Sequence, residues 1–147
     1  MLEYFVGTWK FVSHLNLSDY TQAFAFANLH GFGITTRDHD SLPKPIITIS
    51  RAGDVMMIKT ESPIEKTETS FKLGQEFEET TADNRKTKSL VTMEDDGSLL
   101  HAQKWGGNRT LIRRKVVDNI MVVECTIKNV TSSRVYQRVQ EKHFGEP

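Results

Sequence analysis

Turn-forming residues recur roughly every ten residues after Pro45, and this spacing limits the possible folds more than any other feature of the chain. Between the turns lie short runs rich in β-branched and aromatic residues, which indicate an antiparallel meander of short strands. The turn signals are Ala52-Gly53-Asp54, Leu73-Gly74, Asp95-Asp96-Gly97, Gly106-Gly107-Asn108, Asp118-Asn119 and Lys128-Asn129.

The runs between these turns predict ten strands, once the N-terminal run over 5–14 is included. So many sequential hairpins favour a closed barrel, because closure removes exposed strand edges. We therefore predict an all-β fold, a ten-stranded antiparallel up-and-down barrel. The other nine strands are predicted over 46–50, 55–60, 66–73, 76–81, 86–93, 99–105, 109–117, 120–127 and 130–139.

One segment, over 17–42, departs from the strand rhythm and predicts a helical hairpin between the first two strands. Gly31 and Gly33 interrupt it, and Pro43 and Pro45 follow its end. The residues spaced for one helical face are Tyr20, Ala23, Phe24, Ala27 and Asn28.

Charge and cysteine content exclude several functional classes. Lys plus Arg and Asp plus Glu both number 19, so the formal charge is zero and a strongly basic nucleic-acid binder is disfavoured. A single cysteine, Cys125, rules out an internal disulfide and a multi-cysteine zinc site. The five histidines are scattered and no nucleophile stands beside a base, so we expect neither a metal site nor an enzyme.

The N-terminus and the hydropathy pattern predict a cytoplasmic protein. The opening MLEYFVGTWK has no basic region followed by an apolar one, and no stretch approaches 18 apolar residues. Hydrophobic residues make up only 37%, which is low for a domain with a solid core.

Strand alternation does not decide whether two arginines point into the barrel or out of it. Ile112 shares a face with Arg114, and Tyr136 shares a face with Arg134, while Arg113 takes the opposite face. In a solid barrel both arginines must point out. In a barrel with a wet cavity they can point in, provided that each meets an acid, water or an anionic ligand.

Long ordered motifs resemble the intracellular fatty-acid-binding proteins, and most closely their heart, adipocyte and myelin P2 branch. The resemblance covers nearly the whole chain apart from a patch within 21–43. It is carried by FVGTWKFVS over 5–13 with Asp19-Tyr20, Lys44-Pro45, SFKLGQEFEETTADNRK over 70–86, QKW over 103–105, VVEC over 122–125 and TSSRVY over 131–136.

The resemblance implies one lipid-binding domain over 1–147, a lipocalin-like (calycin) barrel around a water-filled cavity. A helix-turn-helix lid over about 17–42 closes one end. Such a protein binds and transports long-chain fatty acids in the cytosol, without a cofactor or metal. By the family pattern Arg114, Arg134 and Tyr136 hold the carboxylate, Trp9 and Phe5 plug the closed end, and the tail contacts Leu17, Tyr20, Leu42, Ile64, Asp83, Arg85 and Cys125.

The lid departs from the family pattern in length and in charge. It holds about six additional residues, and Asp19, Asp38 and Asp40 stand there against Arg37 alone. Basic lid residues attract family members to anionic lipid, so we expect at most transient membrane contact.

Two alternatives stay open beside the fatty-acid carrier. A retinoic acid carrier uses a similar Arg and Tyr set for its carboxylate. A protein-interaction module whose remodelled lid reduces lipid traffic is the alternative from another class. For the leading interpretation the partner is a long-chain fatty acid, with no nucleic acid, and the protein is a monomer.

Overall fold

The computed structural model describes residues 2–15, 45–62, 65–81 and 84–139. The predicted lid over 17–42 lies outside the described residues. So do five of the predicted site residues, which are Leu17, Tyr20, Leu42, Ile64 and Asp83.

Ten strands form one antiparallel sheet in the order β4-β3-β2-β1-β10-β9-β8-β7-β6-β5, which confirms the predicted meander. Each strand pairs with the next one in the chain, apart from β4 and β5, which do not pair within the described residues. In addition, β1 pairs with β10. The strands are β1 Gly7–Leu15, β2 Ile46–Ala52, β3 Val55–Ser62, β4 Glu65–Lys72, β5 Phe77–Thr80, β6 Lys86–Met93, β7 Leu99–Trp105, β8 Asn108–Val117, β9 Ile120–Ile127 and β10 Val130–Arg138.

The first strand begins later than the sequence predicts. A short 3-10 helix over Leu2–Tyr4 precedes it, and β1 begins at Gly7 instead of Phe5. Gly7 has φ +147°, and a Cβ there would lie 2.6 Å from Nη1 of Arg138. The chain therefore turns into β1 at a residue whose missing side chain leaves room for that guanidinium.

The buried side chains show that the sheet curls into a nearly closed barrel. One hydrophobic cluster joins Ile58 on β3 and Phe71 on β4 to Val91 on β6, although these strands lie near opposite ends of the sheet order. Across the gap between β4 and β5 the rings of Phe71 and Phe77 stack, with centroids 5.6 Å apart. Apolar side chains bridge the gap that backbone hydrogen bonds leave open.

Aromatic side chains are buried where the chain enters β1. Trp9 and Phe5 are fully buried, and the indole Nε1 of Trp9 donates to the carbonyl of Phe5 at 3.0 Å. The guanidinium of Arg138 lies 4.3 Å from the centroid of the Trp9 ring. It also donates to the carbonyls of Val6 at 2.7 Å and Tyr4 at 2.9 Å.

We expect Arg138→Met to lower the free energy of unfolding by about 2 kcal/mol, because the bonds to Val6, Tyr4 and Asn119 and a cation–π contact are lost together. Urea denaturation of the ligand-free protein measures the change. Lys104→Met, at an exposed lysine on β7, is the matched control and should stay within about 0.5 kcal/mol of the parent. Equal midpoints for both variants would show that Arg138 does not hold this end of the barrel.

Candidate functional site

The two predicted arginines lie in one row across three neighbouring strands. Arg114 on β8 and Arg134 on β10 both pair with Val123 on β9, one from each side. Their Cα atoms are therefore separated by two strand spacings, roughly 10 Å. Because Val123 is buried in the core cluster, this row faces the interior of the barrel.

Arg114 is buried deeply, at 9% exposed. Burial lowers the pKa of its guanidinium, and the neighbouring groups Cys125, Tyr136 and Glu79 oppose that shift. Within the part of the chain that the structure describes, its Nε and Nη1 have no hydrogen-bond partner. A buried cation with unsatisfied donors is costly unless an anion or another acceptor meets it.

Arg134 and Tyr136 both lie on β10, and their side chains contact each other. The side chain of Arg134 hydrogen-bonds the phenol of Tyr136, which is 2% exposed. Burial raises the pKa of Tyr136, while the charge and the hydrogen bond of Arg134 only partly oppose the shift. The phenol therefore keeps its proton and can donate it to an acceptor. The ring is held edge-on by Phe11, with centroids 5.7 Å apart.

Cys125 belongs to the same inner wall. It pairs with Ile112 and Ser132 on the flanking strands and packs against the core cluster. Burial raises the pKa of its thiol, and the charges of Arg134 and Arg114 oppose this shift. A protonated, half-buried thiol contributes a small apolar surface there.

Arg113 and Arg114 are neighbours in sequence but differ in environment. Arg113 faces outward and forms a bidentate pair with Glu94, at 2.7 Å and 3.1 Å. The predicted alternation of this pair is therefore observed. An arginine that already has a carboxylate partner is not available for a ligand.

Arg85 lies apart from this row. Its guanidinium is 4.5 Å from the ring centroid of Trp105, the last residue of β7. Arg114 pairs with Leu99, the first residue of that strand. The structure therefore separates Arg85, a predicted tail contact, from Arg114, a predicted carboxylate ligand, by nearly the length of a strand.

Sequence reasoning missed a second polar cluster on the inner wall. The Oε1 atom of Glu79 on β5 accepts hydrogen bonds from Ser89 Oγ at 2.8 Å, His101 Nε2 at 2.9 Å and Gln103 Nε2 at 3.2 Å. A signal was present in the sequence. These three residues occupy alternate positions of β6 and β7 that point inward, where a solid core takes apolar residues.

Glu79 is ionised in this cluster. Burial raises the pKa of its carboxyl, but the hydrogen bond and charge of His101, with the bonds from Ser89 and Gln103, outweigh burial and leave the pKa at about 2. A carboxylate only accepts hydrogen bonds, so Nε2 of His101 carries a proton.

The cluster borders an open space. Glu79 and Thr87 line a depression of about 810 Å³ that also reaches Lys88, Lys104 and Arg109. Neither Arg114, Arg134 nor Tyr136 lines this depression, so it is distinct from the arginine row.

Two negative findings concern the described residues only. No group of three His, Cys, Asp or Glu side chains there could hold a metal ion. Within residues 2–15, 45–62, 65–81 and 84–139, no helix has the length and apolar character that a membrane crossing requires.

Comparisons with known proteins match this chain over nearly its whole length. The model of the Lipocalin / cytosolic fatty-acid binding protein family matches residues 6–139. The chain is 52% identical over 138 residues to the adipocyte fatty acid-binding protein of Pygoscelis papua, which covers 94% of this chain and 99% of the relative. It is 50% identical over 139 residues to fatty acid-binding protein 9 of Homo sapiens, covering 95% of this chain and 100% of the relative.

A solved structure of a fatty acid binding protein has the same fold. The Schistosoma mansoni fatty acid binding protein in complex with arachidonic acid superposes with a TM-score of 0.83. It is 29% identical and covers 95% of this chain and 98% of that one.

We expect Arg114→Met to stabilise the ligand-free protein by about 1–3 kcal/mol, because a buried cation with unsatisfied donors is replaced by an apolar chain of similar length. Urea denaturation of delipidated protein measures this. Arg113→Met is the matched control and should be neutral or slightly destabilising, since it breaks a half-exposed ion pair. A large loss of stability in Arg114→Met would show that this charge is satisfied in the folded protein.

The low pKa of Glu79 makes stability depend on pH. Its pKa falls from an ordinary 4.5 to about 2 on folding, so its contribution is complete above pH 4.5 and is lost as the pH falls toward 2. Glu79→Gln should remove that part of the acid dependence, of the order of 3 kcal/mol, in urea midpoints measured from pH 6 to pH 2. Glu78→Gln, at an exposed neighbour on β5, should run parallel to the parent. Parallel curves for both variants would contradict the assignment.

Proposed function

We propose that this chain, which belongs to the Lipocalin / cytosolic fatty-acid binding protein family, binds one long-chain fatty acid inside its barrel and carries it reversibly. The observation that carries the proposal is Arg114, a buried guanidinium with two nitrogens that have no partner among the described residues. A carboxylate supplies both the charge and the acceptors that this group lacks.

The three head-group residues take different roles. Arg114 supplies a guanidinium fork to the carboxylate, and Arg134 supplies the second positive charge from the other side of Val123. Tyr136, already bonded to Arg134, donates its phenolic proton. Head-group contacts of this kind fix the orientation of the ligand and reject neutral lipids.

The tail supplies most of the affinity. Each buried methylene stabilises the complex by about 0.8 kcal/mol before the entropic cost of binding is subtracted. On the described inner wall, Cys125 and the core cluster offer apolar contacts. The remaining tail contacts of the proposal are Leu17, Tyr20, Leu42, Ile64, Asp83 and Arg85.

The carrier makes and breaks no bond, and we propose that it works as a monomer in the cytoplasm. The lid over 17–42 makes only transient contact with membranes, because it is acidic overall. Retinoic acid is the second candidate ligand, since its carboxylate meets the same three side chains. The names of the relatives favour a fatty acid.

We expect Arg134→Ala to weaken oleate binding about 10- to 100-fold, because a charge-assisted contact to the carboxylate is lost. Displacement of a fluorescent fatty-acid probe by oleate measures this, and Arg113→Gln is the matched control with parental affinity. Oleyl alcohol should bind the parent weakly and should not respond to Arg134→Ala.

Full oleate affinity in Arg134→Ala would contradict the carboxylate assignment. Absence of oleate binding by the parent would favour the protein-interaction module, and displacement by retinoate alone would favour the retinoic acid carrier.

A further inference from the structure

Three cations lie directly opposite one another on the outer wall of the barrel. Lys88 on β6 pairs with Lys104 on β7, and Lys104 pairs in turn with Arg109 on β8. All three residues are exposed. Like charges placed opposite one another on neighbouring strands repel, so this outer basic row (Lys88, Lys104 and Arg109) lowers stability unless an anion meets it.

The outer basic row lacks the carboxylate partners that other outward cations have. Further along β8, Arg113 pairs with Glu94, and Nζ of Lys115 lies 3.7 Å from a carboxylate oxygen of Asp96. Among the residues that the structure describes, no carboxylate forms an ion pair with a member of the outer basic row. The described part of the chain therefore leaves the repulsion within the row uncompensated.

An open depression of about 810 Å³ adjoins the row. The whole outer basic row lines it, together with Lys86 and the turn Gly106-Gly107, and these residues are exposed, so solvent reaches it. Two carboxylates also line it. Glu79 is already bonded to three donors, which leaves Glu78, opposite Lys88, as the available acid against four lining cations. The depression therefore combines a surplus of positive charge with room for a ligand.

The spacing of the row favours a ligand with several negative charges. Neighbouring strands lie about 4.8 Å apart, so the Cα atoms of Lys88 and Arg109 are separated by roughly 10 Å. A single carboxylate is too small to meet both ends of the row. Two phosphate monoesters on one ring carry about three to four negative charges, and lysine and arginine both bind phosphate.

We propose that the outer basic row and the adjoining depression form a second binding site, for a ring that carries phosphate groups on neighbouring carbons. A soluble inositol phosphate and the headgroup of a phosphoinositide share this chemistry. The site contains neither Arg114, Arg134 nor Tyr136, so its ligand does not compete with a fatty acid for the arginine row. Occupancy neutralises the repulsion between the three opposed cations.

Calorimetry of the full chain with inositol 1,4,5-trisphosphate tests the site. We expect this ligand to bind the parent at least tenfold tighter than inositol 1-phosphate, because only the trisphosphate has a pair of phosphates on neighbouring carbons that extends along the row.

Three variants locate the effect. Lys104→Gln, at the centre of the row, should weaken trisphosphate binding about fivefold, which is the effect of one cation near an anionic partner. Glu78→Gln should tighten binding by a similar factor, because it removes the opposing charge. Lys115→Gln changes the net charge as Lys104→Gln does, but it should leave the affinity unchanged, since Lys115 does not line the depression.

Two further measurements place the ligand and identify its source. The amide resonances of Gly106 and Gly107 should shift when the trisphosphate is added, while that of Gly53, which lies outside the depression, should not. Phosphatidylcholine vesicles that contain phosphatidylinositol 4,5-bisphosphate are compared with vesicles that carry the same charge as phosphatidylserine. Tighter binding to the phosphoinositide vesicles than to the soluble trisphosphate identifies a membrane ligand, and the reverse order identifies a soluble one.

The overturning results are equally definite. Absence of trisphosphate binding by the parent contradicts the proposal. Equal binding to both kinds of vesicle, or equal affinities in Lys104→Gln and Lys115→Gln, would show diffuse attraction to the surface instead of a site. Oleate displacement by each variant should match the parent, which checks the fold. If a variant does not fold, the amide shifts and the vesicle comparison in the parent decide alone.

Discussion

A positive charge held inside the barrel is the constraint on which the rest of the structure depends. Burial of Arg114 without partners for two of its nitrogens within the described chain disfavours the ligand-free fold. Its position depends on register, because a slip of one residue would turn Arg114 outward and Arg113 inward. The hairpins on either side of β9 hold that register, with Asp118, Lys128 and Asn129 at positive φ.

The inner wall carries charged side chains of both signs. Arg114 and Arg134 lie on β8 and β10, while Glu79 on β5 supplies a negative charge that is itself satisfied by three donors. The formal charge of zero thus conceals an inner wall with distinct positive and negative regions. The hydrophobic content of 37%, low for a solid core, suits a wall that devotes several inward positions to polar groups.

Much of the fold was readable from the sequence because turns have specific residue requirements. The predicted bounds of β6, β7 and β9 coincide with the observed strands Lys86–Met93, Leu99–Trp105 and Ile120–Ile127. The start of β1 was misplaced, because the backbone amides of Phe5 and Val6 bond back to Leu2 and Glu3 and not to a neighbouring strand. Alternation grouped the residues of each face correctly, but it did not decide which face points inward.

The candidate site was only partly predictable. The arginine row came from the family resemblance, and pairing to a common Val123 is visible only in the sheet register. Glu79 was missed because it follows Glu78 in a short strand, where either carboxylate could face solvent. Its role depends on donors supplied by two other strands, a relation that no local pattern contains.

The central claim is that a ligand carboxylate neutralises the buried guanidinium of Arg114. Carbon-13 NMR of carboxyl-labelled oleate bound to the protein tests it most directly, by following the carboxyl resonance as the pH is lowered. The account predicts that the bound carboxyl stays ionised to a pH well below that at which free oleate protonates, since the two arginines favour its charged form. A carboxyl that titrates as it does in water would contradict the account.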